Sequence, residues 1–312
     1  MSKVRKKRRF SADNLELTIL GTPTVIWFLL FSYLPMFGAV IAFKRYKPLG
    51  DNFIDSLLKS EWVGLSNFTF MFKTPDAFRV FRNTLLYNFA FIALGMVVAV
   101  TLAILITSLY SKLLAKFCQT MMFLPHFLSW VVVSYFTFSF LSADKGLFNQ
   151  LLKAAGNDPV QWYMQVSYWP FILIIVYLWK VMGYSMVVYM ASIAGIDTSL
   201  YEAASIDGAS KWQQTKYITI PMMKPIMIIM FILSLGNIFR SDFGLFFLVP
   251  RESGPLFNVT QTLDVYVYYA LMRLNNIGFG SAAAFMQSVF GLITILSANF
   301  IVRKISPENS LI

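Results

Sequence analysis

Glu202-Ala203-Ala204-Ser205-Ile206-Asp207-Gly208, followed thirteen residues later by Pro221, decides how this chain is read. It is a short polar stretch between two long apolar ones, and its chemistry predicts a helix. Ser199-x-x-Glu202 has the spacing of a capping box, in which hydroxyl and carboxylate satisfy orphan N–H groups at a helix start. Gly208 supplies the stop, because glycine enters the left-handed conformation without steric cost. Leu200, Ala203, Ala204 and Asp207 fall at i, i+3, i+4 and i+7, a narrow face of small side chains suited to a groove in a partner. The plain alternative is an incidental amphipathic loop helix.

On either side of this stretch the 312-residue chain is 57% hydrophobic and 13% charged, with a mean hydropathy of +0.63. No soluble domain buries that much apolar surface, so the solvent is lipid. Six apolar runs reach the roughly 20 residues needed to cross a bilayer: 17–43, 83–108, 118–141, 168–190, 222–248 and 279–302. They predict an all-α membrane protein of six transmembrane helices. Pro23, Pro35 and Pro225 fall within runs, where neighbouring helices re-satisfy the backbone. Lys3, Arg5, Lys6, Lys7, Arg8 and Arg9 crowd the first residues, which places the N-terminus in the cytoplasm. Six crossings return the C-terminus there, in agreement with Arg303 and Lys304. Lys112 and Lys116 mark another inner loop. The stretch quoted above then lies in a cytoplasmic loop, 191–221, between the fourth and fifth spans. The organisation expected is a basic tail (1–16) and one membrane domain (17–312). A long outer excursion (44–82) is expected to form short helices; being basic, it is the poorest fit to this topology. A first apolar run of this length argues against a cleaved leader. The net charge of +11 reads as topogenic and lipid-facing, with no nucleic-acid partner implied. Cys118 is the single cysteine, so no internal disulfide exists.

Glu202-Ala203-Ala204, Gly208 and Ile218-Thr219-Ile220-Pro221 resemble the signature of the integral-membrane permeases of binding-protein-dependent ABC importers, of the maltose type. That signature is Glu-Ala-Ala, three residues, Gly, nine residues, Ile, one residue, Leu-Pro. Ile220 in place of Leu is the one departure and conserves volume. Three further segments, Phe123–Val133, Asn237–Pro250 and Gly278–Lys304, resemble a subgroup that serves complex carbohydrates and polysaccharide fragments. The resemblance implies a bacterial cell membrane, a second permease (a different chain in this subgroup), two cytoplasmic ATPase subunits and an extracytoplasmic binding protein. It also implies that ATP and Mg are held by the ATPases, that no cofactor is bound by this chain, and that an oligosaccharide is the cargo. ATPase-coupling residues would be Leu200, Tyr201, Glu202, Ala203, Ala204, Asp207, Gly208 and Pro221. Glu202 would contact the ATPase groove and Gly208 would allow close backbone approach. The plain readings are a helix-capping Glu202 and a C-capping Gly208.

The chain offers no catalytic constellation. His126 is the only histidine, so neither a His-based triad nor a multi-His metal site is available, and no phosphate-binding G-x-x-x-x-G-K-[ST] loop is present. Polar groups inside apolar runs are the remaining candidates, since a charge at the bilayer centre costs about 2.5–3.5 kcal/mol on insertion scales. Lys180 falls mid-way along the fourth run. Arg240 would lie about 27 Å along the fifth from Met222, with Asn237 one turn earlier and Asp242 just beyond. As a substrate path, Asn237, Arg240 and Asp242 would meet sugar hydroxyls or carboxylates. His126 after Pro125 and Trp130 are further candidates, the indole as a stacking face for a sugar ring. The alternatives are a snorkelling Arg240, a loop-starting Asp242, a Lys180 paired to carbonyls or a carboxylate, and packed aromatic rings. The methionines of 222–230 suit adaptable packing near a hinge rather than a metal. Two rival functions are an ABC permease for a non-sugar solute and a proton-coupled secondary carrier. The latter wants buried carboxylates, and no interior Asp or Glu is expected in the six runs.

Overall fold

The computed structural model describes residues 12–48, 52–73 and 75–307. The basic cluster Lys3–Arg9 lies outside the described residues, and residues 12–16, expected in the tail, already belong to the helix Ala12–Phe28. Among the described residues five helices are long and apolar enough to cross a membrane: Leu15–Phe43, Asp76–Thr107, Val166–Ala194, Lys211–Leu235 and Ile277–Ile305. A sixth is reached where the pair Lys112–Phe127 and Trp130–Leu141, bent by 103°, is counted as one span.

That bend corrects the predicted continuous span 118–141. Pro125 opens a 3-10 turn, Leu124–Phe127, and Leu128 and Ser129 are extended. Ser129 Oγ then accepts from Val132 N to start a new helix, so the chain turns where proline and a serine cap succeed one another. The fifth span also differs from its predicted limits of 222–248. It begins at Lys211, passes through a π turn at Thr215–Thr219, and its helix Ile220–Leu235 ends at Gly236. Residues 237–243 are then mostly non-helical before a π turn at Gly244–Leu248. The π turn before Pro221 gives room for a ring that would clash with a carbonyl one turn earlier in a regular helix.

The chain forms two compact units, one of residues up to Thr69 with Asn276–Phe285, the other of Phe70–Asn275 with residues from Met286 on. Helix Phe53–Lys59, in the first, and helix Ser66–Lys73, which begins there, match the short helices expected of the 44–82 excursion. A departure from all-α is a two-residue antiparallel pair, β1 (Lys44–Arg45) with β2 (Glu61–Trp62). Asn67 Nδ2 holds this corner by donating to the carbonyls of Ala42 and Lys44, both at 2.9 Å. A Cβ at Gly278 would stand 2.9 Å from both Asn67 Nδ2 and Lys44 O, so only glycine fits that approach.

In the second unit the helices Pro75–Thr107 and Trp169–Ala194 pack along one another. Towards one end the core joins Tyr87, Phe91, Trp169 and Leu173 to Leu245, Phe246 and Val249, with the Phe91 ring stacked on Tyr177 at 3.8 Å. Towards the other, Ala99 and Ala103 let Met186, Tyr189 and Met223 close in. Met223 is fully buried, with Met227 and Met230 packed on the same cluster, as expected of adaptable fillers.

Candidate functional site

Two places gather the residues singled out above. The first is the helix Thr198–Ile206. Its N-cap is Asp197, whose Oδ1 accepts from Ser199 N at 2.9 Å; the predicted Ser199–Glu202 capping box is not formed. Asp197 precedes Ser199 and takes the orphan donor first. The hydrogen bonds from the Ser199 backbone and hydroxyl hold its carboxyl below the usual range, leaving an anion at the positive end of the helix dipole. A complete capping box does occur nearby, between Ser210 and Gln213. Gly208 has φ +78°, and Gly208 N and Ala209 N bond the carbonyls of Ser205 and Ala204 at 3.1 and 2.8 Å. These two bonds make a Schellman stop. An added Cβ at Gly208 meets nothing within 4 Å, so within this chain the left-handed backbone alone demands glycine.

The faces of this helix differ from the predicted grouping. Tyr201 and Ala204 turn inward, while Leu200, Glu202, Ala203 and Asp207 are exposed, together with Ile206 at 87%. Ala204 leaves the predicted docking face because one turn of helix carries it to the side of Tyr201. Glu202 pairs with no cation among the described residues. Its carboxylate is spent neither on a cap nor on an ion pair. Pro221 lies in the first turn of the Ile220–Leu235 helix.

The second place is a cavity of about 290 Å³ lined by Asn88, Ser185, Ser234, Asn237, Arg240 and Asp242, with aromatic walls that include Phe91 and Tyr177. Asn237 and Arg240 share no helix face, because the helix ends at Leu235. They reach the cavity from the irregular segment, and both are exposed. The Arg240 guanidinium donates to Ser288 Oγ at 3.2 Å. Free backbone groups are not tolerated in hydrocarbon, and side chains of other helices satisfy those of this segment. Asn88 Nδ2 donates to the carbonyls of Ile238 and Arg240 at 2.8 and 2.7 Å, and Gln287 Nε2 to that of Phe239 at 2.8 Å. Asp264 Oδ2 accepts from Ser241 N and Oγ at 2.6 and 2.8 Å.

His126, Trp130 and Lys180 are not among the cavity's lining residues; they stand behind it as one connected support. Lys180 is buried, and its Nζ donates to the carbonyl of His126 at 3.1 Å, at the break in the bent pair. The same ammonium lies 5.2 Å above the Trp130 ring, a cation–π contact. Trp130 Nε1 donates to Asp242 Oδ2 at 2.8 Å. The other oxygen, Oδ1, caps Gly244 N and Leu245 N. A Cβ at Gly244 would run into the Trp130 side chain, 2.7 Å from its Cβ. The indole therefore has its N–H, one face and an edge already engaged, which removes it as a free stacking face for a sugar. The His126 ring stacks against Tyr184 at 4.9 Å, and its buried Nδ1 has no partner among the described residues. Asp242 corrects the expectation that the spans hold no interior carboxylate: it is half-buried and serves as a cap. No group of three or more metal-ligating side chains occurs among the described residues.

Asn88, Asp264 and Gln287 escaped the sequence reading. Each contacts backbone or side chains far along the chain, and no spacing rule marks them; a polar residue inside an apolar helix was the only available signal.

Residues 91–307 match the family described as binding-protein-dependent transport system inner membrane component. The polygalacturonan/rhamnogalacturonan transport system permease protein YteP of Bacillus subtilis (strain 168) is 33% identical over 310 residues, 98% of this chain and 94% of that one. A solved bacterial ABC transporter involved in the import of the acidic polysaccharide alginate superposes with a TM-score of 0.84 at 31% identity, covering 94% of this chain and 97% of that chain. A second alginate transporter structure, in complex with an alginate pentasaccharide-bound periplasmic protein, gives 0.83 at 30% identity over 94% and 96%.

Proposed function

The chain belongs to the binding-protein-dependent transport system inner membrane component family, and from that premise we propose that it is the membrane-spanning subunit of an ABC importer for oligosaccharides, fragments of an acidic polysaccharide in particular. It is a transport component, not an enzyme. Both termini face the cytoplasm, as does the Thr198–Ile206 helix, which docks in an ATPase subunit. A second permease completes the path, an extracytoplasmic binding protein delivers the cargo, and two ATPases hydrolyse ATP. The observation that carries this reading is the unspent Glu202 carboxylate on an exposed, doubly capped helix with the family's spacing. Membrane proteins lack reason to build and terminate so compact a cytoplasmic helix unless a partner grips it. Binding of ATP would draw the two ATPases together, and each would carry its docking helix along.

Glu202→Lys reverses the charge at the groove. In a tagged preparation of the assembled complex, the ATPase recovered with this variant is expected to fall about tenfold, ~1.4 kcal/mol of affinity. Equal recovery from both preparations would refute the docking role.

Arg240 and Asn237 offer the cavity a fixed cation and an amide, suited to a uronate carboxylate and sugar hydroxyls. The two alginate transporter structures and the polygalacturonan/rhamnogalacturonan permease support the charge of the cargo by likeness. Arg240→Ala is expected to raise the KM for uptake of an oligogalacturonate about tenfold, since a charge-assisted hydrogen bond contributes ~1.5–3 kcal/mol. Uptake of a neutral oligosaccharide should be untouched by the same change. Normal oligogalacturonate uptake would take Arg240 off the path.

A further inference from the structure

The helix gripped from below and the cavity above it are connected by a single element, and the connection at its lower end is built from buried polar side chains. Gln214 is 4% exposed. Its Nε2 donates to Ser205 Oγ at 2.8 Å and to the carbonyl of Ala209 at 3.3 Å. Ser205 Oγ in turn donates to the Tyr201 carbonyl at 2.7 Å, so one amide reaches two turns of the Thr198–Ile206 helix. A second tie lies one turn along, between Tyr201 OH and Thr219 Oγ1 at 3.0 Å, with Thr219 also buried. Gln214 closes the short helix Lys211–Gln214, and Thr219 closes the π turn after it. Both therefore stand at the foot of the fifth span. From Gln214 to Leu235 that span extends about 32 Å at 1.5 Å per residue. Directly beyond its end come Asn237, Arg240 and Asp242.

A buried amide held by Ser205 on the neighbouring helix and by the Ala209 carbonyl just past that helix's end costs more to leave unpaired than to keep. The two helices thus have one preferred relative placement, and a buried, satisfied polar joint is stiffer than an apolar one that can slide. We propose that Gln214 is a positioning residue for transport: with Thr219 as a second tie, it locks the Thr198–Ile206 helix to the fifth span so that the two move as one body. Motion of the ATPase then reaches the cavity segment through that span without loss in the loop. The inference rests on the ATPase-docking reading given above and adds the element by which the motion travels.

The test uses the full complex in proteoliposomes, with Cys118→Ser as background and spin labels at Thr198→Cys and Lys216→Cys. The distance between the labels should be the same with and without ATP plus vanadate. In the Gln214→Leu variant a second distance population should appear. Uptake of labelled oligogalacturonate per ATP hydrolysed should fall about fivefold or more, the lower end of coupling factors between linked sites. Thr219→Val, nearly isosteric, should act in the same direction, and it keeps the test available where Gln214→Leu does not assemble. A label distance that changes with nucleotide in the background protein would overturn the proposal. So would a Gln214→Leu complex that matches the background in both distance and uptake per ATP. Should Glu202→Lys leave ATPase recovery unchanged, the docking reading itself fails, whereas the nucleotide-free label distances still report on the joint.

Discussion

Gly183→Ala is expected to yield no assembled, transport-competent protein. Gly183 lies on the Trp169–Ala194 helix where the bent pair crosses it. A Cβ there would overlap the carbonyl oxygen of Met122, and would stand 2.6 Å from the Met122 carbonyl carbon and 2.8 Å from Phe123 Cα. These are backbone atoms of a helix, so no rotamer relieves the contact and the helices must separate. Overpacking of this kind costs about 3 kcal/mol, the upper end of the usual range. The displacement would also act on Lys180, one turn away on the same face, and pull its Nζ from the His126 carbonyl. Yield and thermal stability in detergent measure the first effect. Gly95→Ala is the control: its Cβ would meet only Leu178 Cδ2, at 3.8 Å, and the variant should behave as the parent. A Gly183→Ala protein with parental yield and Tm would show that the close crossing is not what the fold depends on.

Lys180→Met should leave the fold standing and remove most of the uptake. The side chain keeps its length and loses its charge, fourteen residues from each end of the Val166–Ala194 span. The carbonyl of His126 loses its donor, Trp130 loses the cation on its face, and Asp242, within electrostatic reach of Lys180, loses its counter-charge. Removing one member of a buried charged set costs about 3 kcal/mol or more, which corresponds to roughly a hundredfold in rate or affinity. Because Asp242 also caps Gly244 and Leu245, the loss is transmitted to the segment that lines the cavity. The double variant Lys180→Met with Asp242→Asn should recover part of the activity, as expected of interacting charges. Independent, additive losses in that cycle would dissolve the link between the two residues.

The Thr198–Ile206 helix is legible because its signals are local: a polar island, a stop glycine and fixed spacing. Its cap is not legible, since Asp197 and Ser199 are both good N-caps and only the backbone decides which one leads. Helices Pro75–Thr107, Trp169–Ala194 and Ile277–Ile305 are recognisable as apolar runs, though each begins earlier or ends later than its run. Hydropathy does not register the break at Leu128–Ser129, because both halves of the bent pair are apolar. Nor does it register the end of the fifth helix, because Phe239, Phe243, Leu245, Phe246 and Phe247 are as oily as the helix before them. Apolar composition reports burial, not helicity, and irregular backbone is allowed at membrane depth wherever protein lines it. Asn237 and Arg240 thus reach the cavity from irregular backbone rather than from a shared helix face.

The irregular run 237–242 takes its shape from Asn88, Asp264 and Gln287, three side chains on separate stretches of the chain. On the proposed path, cargo preference is therefore not a portable cassette. On that reading, a chimera that imports only this run from a permease of different taste would lack the scaffold that moulds it, whereas drift at Asp264 or Gln287 would reshape the cavity while every residue lining it stayed the same.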